Sequence, residues 1–213
     1  MLKTKIFAGR IANLTDARYF AAAGAEWLSF CCDPTDKFYL PMPAIAAIQA
    51  WVEGPKTVGA FGFQTADEIR AVAKALDLKA VQLEMFAPIE TLSDLQDFSI
   101  VQEIILQKES SELELEQQLE EKSQYVEFFI LNFQKNNISY KDLENEKPFS
   151  TAFLKNMNKK YAVIWDIDLN EKNVAEVIAQ FQPSGLYLSG GEEEQTGMKS
   201  FDDLDEMLER LEC

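Results

Sequence analysis

One unit recurs along this chain. A short, nearly unbroken apolar run is followed by a stretch whose apolar residues fall at helical spacing. The runs are Lys5–Phe7, Trp27–Phe30, Thr57–Phe61, Ala80–Leu83, Ile100–Leu106, Tyr125–Leu131, Tyr161–Trp165 and Leu186–Leu188. A strand with one wet face alternates apolar and polar residues, whereas an unbroken run is the pattern of a strand covered on both faces. Such strands pair in parallel and need long crossovers, which helices supply. Thr65 with Glu68 three residues on forms a capping box, and Ile69, Val72, Ala73 and Leu76 then follow as one stripe. Val174, Val177, Ile178 and Phe181 repeat that spacing and stop at Pro183; Leu204, Met207, Leu208 and Leu211 repeat it again. "ESSELELEQQLEEK" is predicted to be a charged surface helix, and "NFQKNNISYKDLENEKPF" a strand-to-helix loop. Eight such units predict a single (β/α)8 TIM barrel over residues 1–213, at the small end of that fold. An open doubly wound sheet is the alternative. It fits less well, because no Gly-rich dinucleotide fingerprint opens the first helix.

Charge and composition exclude several partners. The formal net charge of −16 repels nucleic acid and anionic membrane surfaces. It does not forbid an anionic ligand, since a local nest of N–H groups can outweigh the global field. The chain has no histidine, so the commonest general base and zinc ligand are missing. Cys31, Cys32 and Cys213 are odd in number and two are adjacent, which suggests neither a disulfide framework nor a zinc site. Neither a cofactor nor a metal is therefore expected. No apolar run reaches membrane-spanning length and the start lacks a signal-type apolar region, so the expectation is a soluble cytoplasmic protein, monomer or homodimer.

In a (β/α)8 barrel the C-terminal strand ends carry the site. The residues there are Phe7, Ala8 and Arg10; Cys31, Cys32, Asp33 and Lys37; Gly62; Glu84; Asn132; Asp166 and Asp168; and Ser189, Gly190 and Gly191. Asp166 and Asp168 invite two readings. They could bind a cation with Glu84 and one of Glu192 to Glu194, or one could cap the following helix while the other faces solvent. Arg10 and Lys37 are the anion contacts available in an acidic chain. Ser189-Gly190-Gly191 ends a strand with backbone N–H groups open to close approach, as an anion nest needs. The cysteine pair reads as a reactive dithiol or as small buried hydrophobes.

These residues also carry a resemblance. "KIFAGRIANLTDARYFAAAGAEWLSF", "VGAFGFQTADEI", "AVQLEMF", "LNEKNVAEVIAQFQPSG" and "GLYLSGGEEEQTGMKSFDDL" resemble, in order and spacing, motifs of the phosphoribosylanthranilate isomerase family. The likeness covers residues 3–85 and 161–211. It implies a TIM barrel, an Amadori rearrangement of a phosphorylated ribosylamine in tryptophan biosynthesis, and a small phosphorylated metabolite as ligand. That reaction needs a general acid at the ring oxygen and a general base at the sugar C2. The family's base is the Cys of K-I-C-G, a position that falls on Phe7 or Ala8 here. Its acid, an Asp ending strand six, falls on Asn132. Its substrate-contacting Arg falls on Phe38, with Lys37 beside it, and the His of V-Q-L-H-G falls on Glu84. The glycine pair after strand seven is replaced by "WDIDLN", which puts Asp166 and Asp168 near the implied phosphate. Ser189-Gly190-Gly191 keeps the family's form. The resemblance thus implies an isomerase with altered acid–base positions. The alternatives are a non-catalytic descendant that binds a metabolite or partner, and a repurposed barrel enzyme with an acidic site built on Glu84, Asp166 and Asp168.

Overall fold

The computed structural model describes residues 2–190 and 200–211. Eight parallel strands close into one barrel in sequence order. They are β1 (Lys5–Gly9), β2 (Trp27–Cys31), β3 (Lys56–Phe61), β4 (Ala80–Leu83), β5 (Ser99–Ile105), β6 (Phe128–Asn132), β7 (Val163–Asp166) and β8 (Gly185–Ser189). Five residue pairs between β1 and β8, Lys5 with Gly185 through Gly9 with Ser189, close the ring. The helices are α1 (Leu14–Ala22), α2 (Met42–Gln49), α3 (Ala66–Ala75), α4 (Ile89–Asp94), α5 (Glu112–Lys122), α6 (Tyr140–Glu144), α7 (Thr151–Lys160), α8 (Val174–Phe181) and α9 (Asp202–Glu209). The (β/α)8 reading of the sequence holds.

Side-chain parity divides the core in two. Residues of one parity point inward: Phe7, Trp27, Val58, Ala80, Val101, Phe128, Ile130, Ile164 and Tyr187 fill the barrel. Residues of the other parity join the helices in an outer layer that includes Ile6, Leu28, Val81, Leu131 and Leu186. An unbroken apolar run is what this requires, since each strand feeds both layers. The inner layer is unusually aromatic. Phe7 stacks on Trp27 (centroids 5.9 Å apart) and on Tyr187 (5.6 Å). Below them, Lys5 and Lys56 place their ammonium groups over the Trp27 ring.

Helix starts follow their side chains. Thr65 and Ser111 close capping boxes with Glu68 and Glu114, each at the third helical position. The charged segment becomes α5, with Leu115, Leu119 and the stem of Lys122 against the barrel. Two expectations need correction. The stretch 132–149 is not simply a loop: it holds a 3-10 turn at Gln134–Asn136 and then α6, started by a Ser139–Asp142 capping box. Strands β6 and β7 also begin later than the apolar runs, because Tyr125 and Tyr161 close helix ends by donating to Lys122 O and Met157 O.

Gly9 is required for a steric reason. A Cβ there would lie 1.8 Å from Tyr187 Oη and 1.9 Å from its Cζ. We expect Gly9→Ala to destabilise the fold by about 1–3 kcal/mol through forced displacement of that ring. Urea unfolding checks this; a loss below about 0.5 kcal/mol would show that the ring moves aside freely.

Candidate functional site

The inward residues above the apolar plug are polar. They ring the C-terminal mouth around a cavity of about 110 Å3. Arg10, Cys31, Asp33, Asp36, Glu84, Glu103, Lys135 and Tyr187 line it, with Ser29 and Gln82 at its floor. Ser29 Oγ donates to Gln82 Oε1 at 2.9 Å across the interior. The β2–α2 loop holds its own carboxylates in place: Asp33 Oδ1 accepts from Thr35 N and Oγ1, and Asp36 Oδ1 accepts from Phe38 N. Arg10, at φ 53°, leaves β1 in the left-handed region and lies over the Phe38 ring.

Parity separates the two residues at the end of β1. Phe7 points inward into the plug, whereas Ala8 belongs to the outer layer. A group meant to reach ligand from the β1 end would stand at Phe7, and that ring is fully buried between Trp27 and Tyr187. Asn132 is fully buried with both ends of its amide engaged. Its Nδ2 donates to Glu103 Oε1 at 2.6 Å, and its Oδ1 accepts from Lys135 N at 2.9 Å.

The remaining candidates separate. Glu84 faces the central cavity, and burial raises its pKa against the opposing pull of Lys135. Asp166 ends β7 beside Asn132 and is 4% exposed. Burial is the main cause that pushes it up to about 7; Arg10 pulls it down and Glu103 pushes it further up. Asp168 is exposed and lines a different cavity with Gln134 and Asn137. It does not converge with Asp166, and neither caps α8, which is preceded by Asn173. Among the described residues no three His, Cys, Asp or Glu side chains are grouped to hold a metal ion. Lys37 sits over Phe38 and is not among the residues lining the central cavity. Ser189 and Gly190 are half-buried at the end of β8; Gly191 and Glu192 to Glu194 lie outside the described residues. Cys31 faces the mouth and Cys32 the outer layer, and burial pushes their thiols up to about 11 and 12, which disfavours a reactive thiolate.

Sequence reasoning missed Glu103, Lys135 and Tyr187. Glu103 had a signal: it is a charge inside the apolar run "SIVQEII", two residues from inward Val101. Tyr187 and Lys135 had none.

A model of N-(5'-phosphoribosyl)anthranilate (PRA) isomerases matches residues 13–210, through the middle of the chain where quoted motifs are few. The chain belongs to this family. Solved structures agree on the fold. The phosphoribosylanthranilate isomerase of Thermotoga maritima superposes with TM-score 0.79 at 22% identity, covering 98% of each chain. That of Thermus thermophilus gives 0.76 at 22%, again over 98% of each. A phosphoribosylanthranilate isomerase in complex with reduced 1-(o-carboxyphenylamino)-1-deoxyribulose 5-phosphate gives 0.77 at 21% over 98% of each. Curated protein sequences give no match. Among the described residues no helix is long and apolar enough to cross a membrane.

The mouth of this family member makes a pH prediction. A carboxyl whose folded pKa is raised favours the native state while protonated and loses that contribution as pH rises through about 7. Asp166→Asn should therefore stabilise the protein relative to the parent at pH 8 but not at pH 3, below both the ordinary carboxyl value of 3.8 and the raised one. Urea midpoints at the two pH values check this; an equal difference at both would show that Asp166 titrates normally.

Proposed function

We propose that this family member keeps a small-molecule site at the barrel mouth but has closed the family's route for proton transfer. The reading is carried by Phe7: a phenyl ring without an ionisable group occupies the inward position where the resemblance places the base. Asn132 supports it from the acid side, because an amide with both ends engaged cannot deliver a proton to a ring oxygen. Efficient Amadori rearrangement of phosphoribosylanthranilate is not expected from this arrangement.

The partner implied by the resemblance remains a small phosphorylated metabolite. Arg10 and Lys135 are the cations lining the central cavity and would meet its anionic group. Four carboxylates share that lining, so the site suits a compact anion with hydroxyl donors rather than an extended polyanion. Glu84 and Asp166 are the carboxyls at the mouth whose pKa burial raises, that of Asp166 to about 7, but they stand at the ends of β4 and β7, away from the positions the family's roles occupy.

The test is the isomerase reaction itself. Purified protein is mixed with enzymatically generated phosphoribosylanthranilate and the loss of its fluorescence is followed. We expect a rate indistinguishable from the uncatalysed one. Turnover that is abolished in Asp166→Asn or Glu84→Gln would sink the reading and identify a substitute acid–base pair.

A further inference from the structure

Tyr187 lines two neighbouring spaces at the mouth. One is the central cavity. The other, of about 120 Å3, lies between the ends of β7 and β8, and Asp166, Ser189, Gln134 and Asp203 supply its polar lining. Barrels of this fold commonly hold phosphate there, on the loops after the seventh and eighth strands and the start of a following helix. In this chain the chemistry is of opposite sign. Among the described lining residues there is no lysine or arginine. The first turn of α9 carries Asp202, Asp203 and Asp205, which already answer the positive end of its dipole. Gln134 spends its amide nitrogen on Ile167 O and leaves its carbonyl oxygen as an acceptor.

Asp166 is the second and independent observation. It is more than nine-tenths buried, it lines the cavity, and its carboxylate makes no hydrogen bond to any described residue. A buried carboxylate without a donor is costly to the fold and has no structural return, whereas one awaiting a cationic ligand has a function. We propose that this cavity takes the primary ammonium end of a small metabolite, with Asp166 and Asp203 accepting from its N–H groups. The inference rests on the mouth being a small-molecule site and sharpens it. The ligand is bipolar, with its anionic group toward Arg10 and Lys135 and its ammonium between β7 and β8.

Protonation of Asp166 competes with the ammonium. The charged and titratable groups around it are Arg10, Glu103, Tyr187 and Asp203. Binding should therefore tighten as pH rises from 6 to 8.

The experiment is thermal unfolding with ethanolamine hydrochloride, compared with NaCl at equal ionic strength. At pH 8 we expect an upward shift of roughly 3–6 °C at about tenfold the Kd. The shift should be smaller at pH 6, absent in Asp166→Asn and reduced in Asp203→Asn. Asp203 is exposed, so the second variant keeps the test alive if the first fails to fold. No shift, or a shift that survives in Asp166→Asn, overturns the proposal. So does an Asp166-dependent shift produced by inorganic phosphate or Mg2+ in place of ethanolamine. Isomerase turnover in the fluorescence assay would overturn the preceding reading and leave this result unaffected.

Discussion

The stack of Phe7 between Trp27 and Tyr187 sets the terms for everything above it. A closed eight-stranded barrel admits only inward-parity side chains, and they must fill it without voids. Here three rings from adjacent strands β8, β1 and β2 occupy that space. Stacked pairs of this kind add about 0.5–1.5 kcal/mol each beyond the area they bury. The stack has a geometric consequence at each end. Gly9, the next inward residue of β1, must lack a side chain because the Tyr187 ring occupies its place. The polar groups of the mouth, Ser29 and Gln82 included, then rest on an aromatic floor.

That floor explains the electrostatics. Carboxyls beside apolar rings lose hydration, and the loss disfavours their charged forms. Asp166 responds most, because it is the most deeply buried acid at the mouth and has no hydrogen-bond donor among the described residues, while Arg10 compensates only in part. Glu84, half-buried and opposed by Lys135, shifts in the same direction for the same reason. The Tyr187 hydroxyl is likewise held well above its ordinary pKa by burial, so it stays neutral and can donate as well as accept. The mouth thus combines cations that follow two strands, Arg10 and Lys135, with acids at the ends of others whose charged forms burial disfavours.

Much of the fold was legible because it depends on hydropathy alone. Unbroken apolar runs such as "WLSF" and "AVQL" announce strands covered on both faces, and the Thr65–Glu68 spacing announces a helix start. The site was legible only where a polar residue follows a strand, as Glu84, Asn132 and Asp166 do. What hydropathy cannot show is parity. Phe7 and Ala8 are both apolar, and only barrel closure decides which of them faces the ligand. For the same reason Glu103 and Tyr187 read as strand residues rather than as mouth residues. Lys135 and Asp203 reach the site by turns whose geometry no local pattern fixes: a 3-10 turn after β6 and the first turn of α9. Asp166 and Asp168 show the limit from the other side. Both follow the same apolar run, yet side chains two apart around a strand end need a turn to converge, and each lines a different cavity.

The family's architecture and the family's chemistry therefore rest on different residues here. Strand number, closure and the outer apolar layer do not depend on which residues ring the mouth, because inward groups at the strand ends contribute little to either core. Stability would favour an apolar residue at Asp166, where a buried acid gains no hydrogen bond from any described residue. The mouth also crowds Asp33, Asp36, Glu84 and Glu103 around a single cavity, where like charges disfavour one another. Burying Asp166 is a persistent cost to folding, and a ligand that supplies a donor to it is the physical factor that offsets that cost.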